Sequence, residues 1–185
     1  MTGYFRLVVF SLIFMYLIGC EPIDPVIPNE EELITTLEFR LVSSDQQDTI
    51  LFSFKDLDGD GGLSPVIQNE KLKVHTTYNG MLTLRNDAIN PSSDISMEVE
   101  EEGNAHQFFY VVNNAGISVK YADKDANGNP IGLKTTITTG NQATGELTII
   151  LRHNPDKFGS SVSDGLIDQA GGETDIEVTF QIDVI

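Results

Sequence analysis

Two stretches of this chain carry oxygen ligands at the spacing a hard cation needs. Asp56-Leu57-Asp58-Gly59-Asp60-Gly61 sets carboxylates at alternate positions with glycine in the sixth place. Asp123-Lys124-Asp125-Ala126-Asn127-Gly128 repeats the arrangement with Asn127 in the fifth. Alternate side chains of a tight loop converge on one ion, and the glycine permits the sharp turn. Asp56, Asp58, Asp60, Asp123, Asp125 and Asn127 are therefore the candidate calcium ligands. Helix-flanked calcium loops add a bidentate Glu at position twelve, but here that position holds Ile67 in the first loop and Lys134 in the second. The remaining ligands would come from backbone carbonyls, from Glu70 or from the other loop. The same residue types build Asx-turns with no ion, so the spacing predicts either calcium loops or hydrogen-bonded turns.

Three histidines offer a second chemistry. His75 lies on the polar parity of Lys71, Lys73 and Thr77, which predicts a surface position. His106 shares parity with Phe108 and Tyr110, and His153 with Leu151. Two imidazoles on apolar faces of separate strands can meet around zinc, copper or a haem iron. Otherwise they are strand-end residues, hydrogen-bonded or half-exposed. Glu98, Glu100, Glu101 and Glu102, just before His106, can supply a carboxylate or form a solvated face. No serine nucleophile elbow, His-Glu-x-x-His or phosphate loop occurs, and the acids are too many to single out an acid/base pair. The chain therefore reads as a binding protein, not an enzyme.

The elements that must position these residues have period two. Leu37, Phe39 and Leu41 alternate with polar neighbours, as do Ile50, Phe52 and Phe54, then Leu82 and Leu84. Phe108, Tyr110 and Val112 share a face, as do Ile117, Val119 and Tyr121, and Leu147, Ile149 and Leu151. In the last run Ile176, Val178, Phe180, Ile182 and Val184 take one face, and Asp175, Glu177, Thr179, Gln181 and Asp183 the other. Each pattern fits a strand with one buried and one wet face. Asn79-Gly80 and Thr139-Gly140-Asn141 are turn signals. Eight or nine such strands predict an all-β domain over residues 33–185, an antiparallel β-sandwich of immunoglobulin-like type. One short helix is expected near Pro91–Glu102, capped from Ser92-Ser93-Asp94 and kept short by acids that oppose the dipole at its end.

The first residues form a separate signal. Arg6 precedes the apolar run Leu7–Ile18, broken only by Ser11. As a helix it rises about 18 Å, short of the roughly 30 Å hydrocarbon core, so it reads as a signal helix and not as a span. It leads to Leu17-Ile18-Gly19-Cys20, which resembles the bacterial lipobox, and Cys20 is the one cysteine of the chain. Residues 1–19 are thus expected to be a lipoprotein signal peptide. Residues 20–32, the lipidated Cys20 and an acidic stretch with Pro22, Pro25 and Pro28, are expected to form a stiff tether.

Lys and Arg number 11 against 28 Asp and Glu, a net charge of −17. That balance excludes a phosphate-gripping nucleic-acid binder and favours attraction of cations.

Several segments together resemble small acidic outer-membrane lipoproteins of the Bacteroidota, found beside TonB-dependent receptors. They are Phe54–Gly62, Tyr78–Leu84, Glu101-Glu102 with His106–Phe109, Asp125–Leu133, Leu151–Pro155 and Gly171–Ile176. The acidic residues after Cys20 resemble the surface-export signal of the same group. The resemblance implies a lipid-anchored accessory protein of the outer membrane, facing the periplasm or the cell surface, calcium-loaded or otherwise metal-related, with an uptake receptor as partner; the Asp loops make calcium the expected cofactor. It marks the two Asp loops, His106 and His153 as notable positions. The alternative is a transition-metal or haem capture lipoprotein using His106 and His153, and the third is a structural surface protein.

Overall fold

The alternating apolar runs become strands wherever one face can be buried, and two sheets result. The computed structural model describes residues 33–59 and 62–185. The signal segment, Cys20, the tether and Asp60 lie outside the described residues. In chain order the elements are β1 (Thr36–Ser43), β2 (Thr49–Lys55), β3 (Val66–Gln68), β4 (Lys71–Leu72), β5 (Thr77–Asn86), β6 (Ser93–Asp94), α1 (Ile95–Glu101), β7 (His106–Asn113), β8 (Ile117–Tyr121), β9 (Lys134–Thr139), β10 (Ala143–His153) and β11 (Glu173–Val184). One sheet runs β3-β2-β1-β5-β9-β8 with β6 on β5, and the other runs β4-β11-β10-β7. All pairs are antiparallel except β4 with β11. This is the expected all-β sandwich. Eight of its strands have five or more residues, and β3, β4 and β6 add short edges.

The core lies between the sheets. Leu37, Phe39, Leu41, Phe52, Leu82 and Leu84 from one meet Phe108, Leu147, Ile149, Leu151, Val178 and Phe180 from the other. Phe52 and Phe180 approach to 5.6 Å between ring centres. Each such side chain removed from water contributes about 1.5–3 kcal/mol.

The outer face of the second sheet is not wholly wet. Phe109 and Ile150 lie on it, buried with Val162 and Ala170 of the 154–172 connection. That connection carries Lys157 back toward the second acidic loop.

Two local expectations meet different fates. The helix forms as a seven-residue segment, with the Asp94 carboxylate accepting the Ser96 N–H and Ile95 and Val99 buried. Asn79-Gly80, in contrast, is not a turn but lies inside β5. Its glycine serves packing: a Cβ there would sit 2.5 Å from Thr135 Oγ1 and 2.8 Å from the Phe39 ring. Gly80 lets neighbouring side chains approach the strand closely, and that requirement overrides the local turn preference.

Candidate metal centre

His106 opens β7 and His153 closes β10, and the antiparallel register sets them directly opposite each other. Both continue the core-facing parity of their strands, so the imidazoles meet at one end of the sandwich. Their rings stack at 4.8 Å between centres, inclined by 14°. His106 is 1% exposed. Its Nδ1 lies 3.2 Å from the Glu102 carbonyl in the turn after α1. A carbonyl only accepts, so Nδ1 carries the proton and Nε2 presents its lone pair. Burial pushes the His106 imidazole below the ordinary histidine range; the Glu102 hydrogen bond opposes that shift and the adjacent His153 adds to it. The ring is neutral at neutral pH, which is the form a metal requires.

The third member is Asp175, which sequence parity assigned to the wet face. The structure corrects this. The β10–β11 ladder shifts register between Leu151 and Arg152: Leu151 pairs with Ile176, Arg152 with Thr174, and His153 with Glu173. Asp175 is the extra residue of a β-bulge, and a bulge turns its side chain away from strict alternation. The Asp175 carboxylate comes to 4.0 Å from His106 Nε2, with that side chain 4% exposed. The preceding Gly171-Gly172 pair was the available signal. Gly172 has φ +71°, and a Cβ on it would sit 2.3 Å from the His153 carbonyl oxygen. Glycine there brings the start of β11 hard against His153.

One ligand atom from each of His106, His153 and Asp175 lies within 4.8 Å of the other two. Around a tetrahedral ion at zinc–ligand distances those atoms would stand about 3.3 Å apart. Closing the site requires the stacked imidazoles to turn their lone pairs toward a common point. Two imidazoles and a carboxylate suit a borderline divalent cation such as zinc.

The acidic loops are arranged differently. In the first, Asp56 Oδ1 accepts the Gly59 N–H at 2.9 Å and Asp58 Oδ2 accepts the Leu63 N–H at 2.8 Å. In the second, Asp123 accepts the Gly132 and Lys134 N–H groups at 2.7 and 2.8 Å, one on each oxygen. Asp125 Oδ1 accepts those of Asn127 and Asn129, each at 2.9 Å, and the Asn127 amide donates to Asn104 Oδ1 at 3.0 Å. The Asp125–Asn127 bond is that of an Asx-turn, and the other carboxylates tie down backbone N–H groups three to eleven residues away. The strands feeding the loops, β2 and β8, stand four spacings apart in one sheet, about 19 Å, so the loops start at well-separated points.

The second loop holds a positive charge of its own, which sequence reading missed. Lys157 Nζ donates to Asp125 Oδ2 at 2.9 Å, to the Pro130 carbonyl at 3.0 Å and to the Gly103 carbonyl. All three ammonium protons are met. The two charged side chains are 3% and 1% exposed. Burial pushes the Asp125 carboxyl up, but the Lys157 ammonium and the backbone N–H groups outweigh it and hold the group below the usual range. Burial also pulls Lys157 down, against the attraction of Asp125. Nothing in the spacing of Lys157 from Asp125 marks the pair in the sequence, because a long connection brings them together.

His75 is exposed, as expected. A cleft of about 550 Å³ beside the second loop and one of about 340 Å³ along β5 are lined by neither His106, His153 nor Asp175. Comparison of the chain with protein-family models, curated proteins and solved structures finds no match.

Proposed function

We propose that this protein is a cell-envelope lipoprotein that binds a divalent transition-metal ion between His106, His153 and Asp175. The observation that carries this reading is the convergence of three ligand side chains from three strands, their ligand atoms within 4.8 Å of one another. The Glu102 carbonyl fixes the His106 ring with its Nε2 lone pair inward, the kind of outer contact that orients metal-bound imidazoles. The net charge of −17 concentrates cations near the surface.

An ion fits better than haem. Two rings stacked at 4.8 Å leave no gap for a porphyrin between them. Anchoring through Cys20 follows from the lipobox-like segment, and service to an outer-membrane uptake receptor is the role the sequence resemblance implies. Calcium belongs to this reading at the first acidic loop, where Asp58 is exposed and Asp56 half-buried. In the second loop Lys157 supplies the positive charge.

Chelator-treated protein melted with and without zinc tests the reading. A ligand at about 100 times its dissociation constant adds roughly 2.7 kcal/mol. For a domain of this size that raises the melting temperature by roughly 5–10 °C. His106→Ala, His153→Ala and Asp175→Ala should each remove most of the rise, since the three act as a unit. A zinc-dependent rise of the same size in all three variants would show that the ion binds elsewhere.

A further inference from the structure

We infer that Glu173 is the fourth ligand of this site and closes it into a four-coordinate holding site for a zinc-like ion. The inference rests on the metal reading above. Its basis is the register. His106 pairs with His153 across β7–β10, and His153 pairs with Glu173 across β10–β11, so the three residues form one row. Residues directly opposite in an antiparallel ladder share a face, with Cβ atoms about 4.5–5.5 Å apart. Glu173 therefore stands on the imidazole side of the sheet.

The bulge explains why two carboxylates reach that side at once. Had the ladder continued one for one past Leu151 and Ile176, Asp175 would oppose Arg152 on the outer face and Thr174 would oppose His153. The extra residue brings Glu173 opposite His153 and releases Asp175 toward His106 Nε2. A single backbone irregularity thus supplies both acids, and the close approach of Gly172 to the His153 carbonyl holds it in place.

The positions suggest different duties. The Asp175 side chain is buried beside His106, whereas Glu173, next in the cross-strand row, is exposed. A buried acid presets the inner part of the cage. An exposed glutamate can rotate outward to admit the ion and inward to complete the shell. With four protein ligands no coordination position remains for an activated water, which separates a holding site from a hydrolytic one. The resulting two-nitrogen, two-oxygen set contains no thiolate or thioether, so it selects a borderline divalent ion over copper(I).

Cobalt(II) titrated into chelator-treated protein tests this, because its visible absorption is strong in a tetrahedral shell and weak in a six-coordinate one. The wild type should give the strong bands. Glu173→Gln should still bind, with weaker bands and about tenfold or more lower affinity, while its melting curve without metal stays unchanged because the side chain is exposed. His106→Ala should not bind. If the wild type binds no cobalt, the metal reading fails and this inference with it. If the wild type binds cobalt but Glu173→Gln matches it in spectrum and affinity, Glu173 is not a ligand while the three-residue site stands; a six-coordinate spectrum in the wild type would overturn the closed four-coordinate shell.

Discussion

Replacing Lys157 by Met keeps the length and apolar stem of the side chain and removes only its charged head. In the native protein that head donates to Asp125 Oδ2, Pro130 O and Gly103 O inside a region where the two charged side chains are 3% and 1% exposed. The variant leaves Asp125 buried without its counter-charge and takes a charged donor from the Pro130 and Gly103 carbonyls, the second of which keeps only the long His106 N–H contact at 3.4 Å. Removing one partner of a buried pair costs about 3–5 kcal/mol, far more than loss of a surface ion pair. At about 2–4 °C per kcal/mol, Lys157→Met should lower the melting temperature by roughly 6–20 °C. Asp125→Asn keeps acceptors for the Asn127 and Asn129 N–H groups and removes the charge. The double variant should therefore be less destabilised than the two single losses added together, with a coupling of about 1 kcal/mol or more. Urea melts of the four proteins give that coupling directly. A Lys157→Met melting point within a degree or two of wild type, or strictly additive losses, would refute the internal-cation account of this loop.

Other expectations follow from particular contacts. Hydrogen bonds from the Ser92 and Thr36 hydroxyls, then the Arg85 charge, lower the Asp87 carboxyl from 3.8 to about 2. Its folded value lies below its unfolded one, so its contribution is complete above about pH 4 and is lost as pH falls toward about 2; acid melts of Asp87→Asn should show a shallower loss across that window. Gly172→Ala places a Cβ 2.3 Å from the His153 carbonyl at φ +71°, and should destabilise the domain by about 1–3 kcal/mol and weaken zinc binding in calorimetry. Millimolar calcium should raise the melting temperature by a few degrees if the first loop binds at about 10⁻⁴–10⁻³ M. Asp58→Ala should remove that rise, whereas Asp125→Asn should leave it in place. Cys20→Ser should abolish incorporation of labelled fatty acid and release the protein from the membrane fraction, since two acyl chains supply the stable attachment.

Much of the sandwich was legible because period-two alternation is a direct consequence of burying one face of a strand. The runs at Leu37–Leu41, Phe108–Val112, Leu147–Leu151 and Ile176–Val184 fall within β1, β7, β10 and β11. β9 was missed because its buried positions are Thr135, Ile137 and Thr139, and two of the three do not register as apolar. Gly80 misled because a glycine needed for close packing carries the same signal as one needed for a turn. His106 and His153 were legible as candidates, since both keep the apolar parity of their strands; their pairing depends on register, which a single strand does not encode. Asp175 was hidden for the opposite reason. Alternation counts residues, and a bulge breaks the count by one. Lys157 was hidden because long-range ion pairs leave no local periodicity.

The central claim is that His106, His153 and Asp175 hold one ion. X-ray absorption at the zinc edge, on chelator-treated protein reloaded with one equivalent of zinc, addresses it most directly. The account predicts two imidazole ligands with oxygen neighbours at about 2.0–2.2 Å, and loss of the imidazole scattering signal in His106→Ala. A first shell of oxygen alone, or an imidazole signal unchanged in that variant, would contradict it.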